Sequence, residues 1–223
     1  MYKEYHELFS NEVYRATTFY IFWNKLQNEP VNDKKLLAAF NVSPLSWIAI
    51  RYSMMVGLIM TLGRIFDTDS DSVSVDDLIK SCIIEIDLFS KDSLRKRKLA
   101  QSGFKKEWIE EYMNNSYEPT EKDFQMLKPS INKYKKIYQE YYRPIRHKIF
   151  AHSDKSYFEN TDELWKYTKL ADMVEMLNFL EDLKTTLQMT YDNGTKPILS
   201  GRTMDEEWFA KDILTLFERV KNA

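Results

Sequence analysis

The pattern that most restricts the fold of this chain is a row of large side chains between residues 127 and 152. Its members recur every three or four residues without a gap: Leu127, Ile131, Tyr134, Tyr138, Tyr141, Ile145, Ile149 and His152. Because an α-helix has about 3.6 residues per turn, this spacing places all of them on one face of a helix. A strand would instead require strict alternation, so the clearest pattern in the sequence predicts a helix.

Helical spacing recurs along most of the chain, while glycine (5) and proline (6) are scarce among its 223 residues. Helices are expected at about 2–28, 44–66, 75–89, 91–115, 161–191 and 204–221, together with one that starts at Thr120 or Pro129 and carries the row described above. We therefore predict an all-α protein, an antiparallel helical bundle with additional peripheral helices, in a single domain spanning residues 1–223.

Four boundaries follow from local chemistry. Glu29-Pro30 is expected to end the first helix, because a residue before proline is pushed out of the α region. Ser43-Pro44 opens the next helix, and Ser74 caps the helix that follows. Asp192-Asn193-Gly194 stops the long helix near the C-terminal end. The 44–66 helix is apolar on most sides, so it is expected to be the central core helix, with Gly57 and Gly63 allowing close approach of its neighbours.

Several classes of function lack their sequence signatures. No Gly-rich phosphate loop, His-Glu-x-x-His, paired-cysteine spacing or Gly-x-Ser-x-Gly occurs. The segment from Asp67 to Ser72 resembles a calcium loop, but Ser72 stands where glycine is needed and Leu78 where a bidentate Glu is needed. With one cysteine, Cys82, and three histidines, neither a metal nor a cofactor is expected.

The chain shows no signal peptide, and its most apolar stretch, Trp47 to Phe66, contains Arg51 and Arg64. That stretch holds too few uninterrupted apolar residues for a bilayer, which needs about 20. We expect a soluble cytoplasmic protein with no membrane contact.

The formal net charge of −2 hides one strongly basic sector. Between Phe124 and His152 the only acid is Glu140, against seven basic residues: Lys128, Lys133, Lys135, Lys136, Arg143, Arg146 and Lys148. A second basic run extends from Lys91 to Lys106. Such a sector is typical of a protein with a phosphate-bearing partner, although a solvated lysine-rich helix face would give the same pattern.

Arg146, His147 and His152 are the side chains best suited to chemistry on a phosphodiester. Arginine offers a fixed fork of donors to phosphate, and histidine exchanges a proton near neutral pH. On a continuous α-helix the two histidines would lie ~140° apart, which argues against a shared metal, and Arg146 and His152 would lie ~240° apart. Either the helix breaks near Pro144, or a symmetric dimer with the row of large side chains at its seam supplies the missing partner. The alternative is structural: a core histidine and a salt-bridge arginine.

The stretch Arg146-His147-Lys148-Ile149-Phe150-Ala151-His152 resembles the signature of the HEPN superfamily, an Arg followed after four to six residues by a His. Two further stretches, Ala151-His152-Ser153-Asp154 and Leu62-Gly63-Arg64-Ile65-Phe66-Asp67, resemble the abortive-infection branch of that superfamily. The similarity covers most of residues 1–190, which would form a HEPN-like core, with the helix at about 203–222 packed on it. Some relatives carry a tyrosine two residues after the histidine; here that residue is Asp154.

The resemblance implies a homodimer that brings two Arg/His motifs into one cleft. It implies a metal-independent endoribonuclease of phage defence or of a toxin–antitoxin pair, with RNA as substrate and an antitoxin or defence protein as a further partner. Arg146 would bind the scissile phosphate, His152 would transfer a proton, and His147 would assist. RNA would also contact Arg143, Lys148, Lys136 and Lys133. Other members only bind RNA or nucleotides, so a non-catalytic binding module is the alternative.

Overall fold

The computed structural model of the chain describes residues 1–66, 73–151 and 165–222, and gives only the backbone of residues 150 and 151. Every regular element within these ranges is helical, which confirms the predicted all-α bundle. The helices in chain order are α1 (Tyr2–Asn32), α2 (Lys34–Val42), α3 (Pro44–Phe66), α4 (Val75–Ile84), α5 (Lys91–Ala100), α6 (Ile109–Asn115), α7 (Glu121–Gln125), α8 (128–151), α9 (Leu170–Asn193) and α10 (Glu206–Lys221).

Helix α1 organises the bundle. It packs against α2, α3, α4, α9 and α10, and its inward face buries Phe9, Val13 and Tyr20. These side chains belong to one continuous core that includes Leu62 of α3 and Leu180 of α9. Because full burial of a large apolar side chain contributes about 1.5–3 kcal/mol, the long buried face of this 31-residue helix contributes substantially to stability.

Helix α3 is buried over its second half only. Leu58, Leu62 and Phe66 are fully enclosed, whereas Leu45 is 79% exposed and Ile48 and Tyr52 are also open to solvent. The prediction of a helix buried on most sides was therefore wrong for its first half, because periodicity shows that a surface is apolar but not what covers it. By length and composition alone α3 could cross a membrane, a test that core helices of soluble proteins also pass.

The first boundary prediction was wrong by about one turn. Pro30 is buried inside α1, and the helix continues to Asn32. Asp33 then caps the short helix α2, which the sequence patterns did not indicate, by accepting hydrogen bonds from the backbone of Lys35 and Leu36. A proline in the last turn removes only one hydrogen bond from a helix that tertiary packing already holds.

The remaining boundaries agree better with prediction. Ser74 and Asp77 form a capping box at the start of α4, and Gly194, at φ +64°, ends α9. The charged 91–115 region divides into α5 and α6 around Gly103. The segment from Asp67 to Ser72 and the predicted cap Thr161 lie outside the described residues. Lys169 is extended and α9 begins after it, later than predicted.

Candidate functional site

Helix α8 changes its hydrogen-bond pattern around Pro144. It is α-helical over Lys128–Ile137, π-helical over Tyr138–Tyr142, α-helical over Arg143–Ile145 and π-helical again over Arg146–Ala151. The N–H of Arg143 donates to the carbonyl of Tyr138, five residues earlier. Because proline has no N–H to donate, these wider turns carry the helix through Pro144 without ending it. The regular α-helix for which the ~140° and ~240° separations were calculated is therefore not continuous through Arg146–Ala151.

The row of large side chains on α8 faces the core of its own chain. Ile131, Tyr138 and Ile145 are completely buried, and the Tyr138 ring stacks on Phe66 with centroids 5.7 Å apart. Tyr134 likewise stacks on a ring of α9. The periodicity correctly predicted a buried helix face. That the same row forms a dimer seam stays a prediction, and Tyr141 and Ile149 are half-buried members of the row that a partner could still cover.

Gly63 of α3 provides the place where the Arg146 side chain packs. A Cβ atom added at Gly63 would lie 2.8 Å from Cδ of Arg146 and 3.0 Å from the hydroxyl of Tyr138. Real Cβ atoms do not approach other atoms so closely, so the arginine occupies space that only glycine leaves open. Two of the three stretches that carry the HEPN resemblance, the one that begins at Leu62 and the one that begins at Arg146, therefore meet at this contact.

His147 shares a hydrogen bond with the arginine beside it. Nη2 of Arg146 lies 3.1 Å from Nε2 of His147. A guanidinium has only donors, so Nε2 must accept, and the ring then carries its proton on Nδ1. A protonated His147 could not make this bond. The contact thus joins a permanent cation to a neutral imidazole at the start of the Arg146–Ala151 segment.

Other predicted site residues lie at the same end of α8. Arg143 and Lys148 are half-buried, as are Arg146 and His147. The hydroxyl of Tyr142 donates to the carbonyl of Lys169, 2.9 Å away, and so ties this end of α8 to the segment before α9. Burial raises the pKa of Tyr142, so this phenol stays protonated and donating at neutral pH. The predicted catalytic His152 lies outside the described residues.

Fewer of the basic side chains between Phe124 and His152 are available to a polyanion in the fold than the sequence indicates. Lys133 pairs with Glu175 across 3.4 Å, and Lys135 pairs with Asp76 of α4. Lys128 and Lys136 are exposed, and for Lys136 no ion pair occurs with any described residue. Because a cation already paired with a carboxylate attracts phosphate less, the lysines best placed to meet a polyanion are Lys128 and Lys136.

The second basic run, Lys91 to Lys106, is largely structural. Arg97 donates to two backbone carbonyls, those of Leu88 and Tyr191, each 2.7 Å away. Lys98 donates to the Asn193 side chain, and Arg95 pairs with Glu110 through both guanidinium nitrogens. These contacts hold α5 against α6 and the end of α9, so of this run only Lys96, Lys105 and Lys106 remain as exposed basic side chains.

Three contacts of the site were not predicted. Tyr138 lies beside Arg146 at Gly63, Tyr142 ties α8 to Lys169, and Arg64 donates to Glu12 of α1 at 2.7 Å. The sequence signal for the contact at Gly63 was the glycine itself, because a glycine inside an apolar helix usually has a packing reason. Among the described residues, no group of three or more His, Cys, Asp or Glu side chains is placed to hold a metal ion.

Comparison with known proteins gives one match. The family model HEPN_AbiU2, whose description is AbiU2, matches residues 2–207. The matched range contains α1 to α9 and every residue of the Arg146–His152 stretch. No curated protein and no solved structure matches the chain.

Proposed function

This chain belongs to the AbiU2 family of HEPN domains, and from that premise we propose that it is a metal-independent endoribonuclease that acts as a homodimer in abortive infection. The observation that carries the proposal is the cluster at the end of α8. There Arg146 packs over Gly63 and bonds to His147, and His152 follows five residues later in the chain. A phosphate-binding cation and groups able to transfer protons are the minimum set for RNA cleavage without a metal.

RNA carries its own nucleophile, the 2′-hydroxyl, next to each phosphate. In the proposed reaction the 2′-oxygen attacks phosphorus and its proton passes to a histidine, while the bond from phosphorus to the 5′-oxygen breaks and that oxygen receives a proton. His152 is assigned one of these transfers and His147 assists. The guanidinium of Arg146 stabilises the charge that develops on the phosphate oxygens. The products are a 2′,3′-cyclic phosphate and a 5′-hydroxyl.

The surroundings support a polyanionic substrate. Lys128 and Lys136 are exposed on α8, and Arg143 and Lys148 flank Arg146. Each phosphate contact releases counterions from RNA, so binding should weaken steeply with salt. We place such an enzyme in the cytoplasm with its substrate, acting in phage defence, either as the toxin of a pair or with another defence protein.

The decisive experiment is RNA cleavage by the purified protein in the presence of EDTA. We expect cleavage to persist, to leave a cyclic phosphate, and to fall at least a hundredfold in Arg146→Ala and His152→Ala. Arg219→Ala is the matched control, because Arg219 is an exposed arginine on α10. Undiminished cleavage by both site variants, each with a wild-type thermal transition, would remove the assignment.

A non-catalytic RNA-binding module is the second candidate, favoured by one specific observation. Lys128 and Lys136 are exposed on α8 and could hold a polyanion without any contribution from the histidines. This alternative predicts salt-sensitive binding without turnover. Loss of affinity would then follow Lys128→Gln and Lys136→Gln more than His152→Ala, and the salt slope would fall by about one per lysine removed.

A further inference from the structure

A small aromatic cavity opens between α1, α3, α8 and the segment that leads into α9. Its volume is about 210 Å³, and four of the described residues that line it are aromatic: Tyr20, Trp23, Tyr142 and Trp165. A cavity of about 150 Å³ is enough to hold a benzene ring. We propose that this cavity receives one unpaired base of the RNA whose phosphate lies at Arg146, an inference that rests on the proposed function.

Its position relative to Arg146 suits a single nucleotide. Tyr142 lines the cavity and precedes Arg146 by four residues in α8. On α3, Leu58 lines the cavity and Gly63 supports Arg146, a separation of about 7.5 Å along the helix axis at 1.5 Å per residue. The same two helices therefore carry both lining residues of the aromatic cavity and the contact of Arg146, within two helical turns of each other.

The lining indicates how a base would be held. Aromatic and aliphatic side chains, including Met55 and Met173, form nearly all of it. The hydroxyl of Thr168 already donates to the carbonyl of Trp165, and the hydroxyl of Tyr142 to that of Lys169. The cavity therefore offers the flat face of a ring a stacking surface but few groups that would read its edge. Stacking of this kind accepts every base, with modest preferences set by stacking strength.

Such a cavity selects for single-stranded RNA. In an A-form duplex each base is paired and stacked, whereas bases in loops and free strands can turn outward onto aromatic side chains. Lys169 also lines the cavity and is exposed, so a cation is available for the adjoining backbone. The substrate class that follows is RNA with an unstacked base beside the scissile phosphate.

A second aromatic cavity provides an internal control. It measures about 570 Å³ and is lined by residues of α1 and α10, among them Tyr14, Phe22 and Trp208. No described residue of α3 or α8 lines it. Size and aromatic content therefore do not distinguish the smaller cavity from the larger one. The smaller cavity is distinguished by its position near Arg146.

The test measures binding of a short fluorescent 2′-O-methyl oligonucleotide, which lacks the 2′-hydroxyl and cannot be cleaved. Anisotropy is compared for the wild type, Trp165→Leu, Trp165→Phe and the control Trp208→Leu. We expect about a tenfold loss of affinity for Trp165→Leu, recovery with phenylalanine and no change in the control. An oligonucleotide of the same length without bases should bind more weakly and be insensitive to Trp165→Leu.

Equal affinity of Trp165→Leu and wild type for the single strand would overturn the inference. If Trp165→Leu lacks a thermal unfolding transition, Met55→Trp, which fills the cavity from α3, replaces it and should give the same loss. The two proposals fail separately. If the cavity variants bind RNA as tightly as the wild type while Arg146→Ala still loses cleavage, only the base site is disproved. If the wild type does not cleave RNA, the proposed enzymatic activity is wrong, and the anisotropy measurements still test whether the cavity binds a base.

Discussion

At position 63 the absence of a side chain is itself a feature of the site. The nearest atoms to a Cβ added there belong to Arg146 and Tyr138, whereas the three nearest atoms to a Cβ added at Gly57, six residues earlier in α3, all belong to the ring of Phe19. Both glycines lie in the interior of a helix, where alanine is favoured by about 1 kcal/mol. Glycine at position 63 therefore makes the helix less stable than alanine would, but it leaves the space that the Arg146 side chain occupies.

Gly63→Ala should disable the site without unfolding the protein. Overpacking costs about 1–3 kcal/mol and the gain in helix propensity returns about 1 kcal/mol, so the melting temperature should fall by no more than about 8 °C. Arg146 must move, however, and we expect RNA cleavage to fall at least tenfold because a small misplacement of a catalytic group is costly. Gly57→Ala, which crowds Phe19 in the same helix, serves as control and should keep full activity.

His6 predicts how stability depends on pH. Burial lowers the pKa of this histidine, despite the favourable hydrogen bond of its Nε2 with the carbonyl of Lys184 at 3.0 Å. The unfolded chain then binds a proton more readily than the folded one. Stability is accordingly full above the unfolded pKa of about 6.5 and is lost as the pH falls from there toward the lower folded pKa.

We therefore expect the melting temperature of the wild type to drop between pH 7 and pH 5 more steeply than that of His6→Gln, which cannot titrate. Thermal unfolding followed by circular dichroism at several pH values measures both slopes. Parallel curves for the two proteins would show that another group governs this range.

Among the helices, α8 is irregular, and its irregular part lies at the candidate site. Two π-helical stretches flank Pro144 and set the direction in which Arg146 points. π-turns inside α-helices are frequent at functional sites, where the extra residue redirects a side chain. The sequence could indicate only that Pro144 disturbs the helix; how the disturbance is absorbed depends on the packing of Tyr138 and Ile145 against the core.

Pro144→Ala should stabilise the protein and impair its activity. Alanine restores a backbone donor and avoids the cost of proline inside a helix, about 3 kcal/mol. A return to regular α-helical turns would rotate Arg146 away from Gly63. We expect a higher midpoint in urea unfolding together with slower RNA cleavage. Pro129→Ala is the matched control, because Pro129 lies in the first helical turn, where proline costs little.

The elements also show where prediction from the sequence was reliable. The face of α8 was identified correctly because its spacing of three and four has no gap over 25 residues, and the cap at Ser74 because side-chain capping is local chemistry. Helix α2 was missed because it is short and follows a proline. In α10 the spacing of apolar residues includes Trp208, yet this side chain is 64% exposed, because spacing shows that a surface is apolar but not what covers it.

For the whole molecule, the burial of Ile131, Tyr138 and Ile145 inside one chain bears on where the proposed dimer would meet. The most exposed apolar side chains, Val42 and Leu45, lie at the α2–α3 junction. Leu45 is 18 residues from Gly63, or about 27 Å along α3. A dimer that shares one cleft is therefore expected to meet at the Gly63 end of α3, with the α2–α3 junction remote from the interface.

Mixing two inactive variants tests whether the site is shared between chains. If Arg146 of one chain acts with His152 of the other, a heterodimer of Arg146→Ala and His152→Ala contains one intact site. Half of the randomly mixed dimers are heterodimers with one of two sites intact, so the mixture should recover about a quarter of wild-type cleavage. Each variant alone stays inactive because every site lacks one group. A mixture that exchanges subunits, as monitored by energy transfer between labelled chains, yet stays inactive would place both groups of each site on one chain.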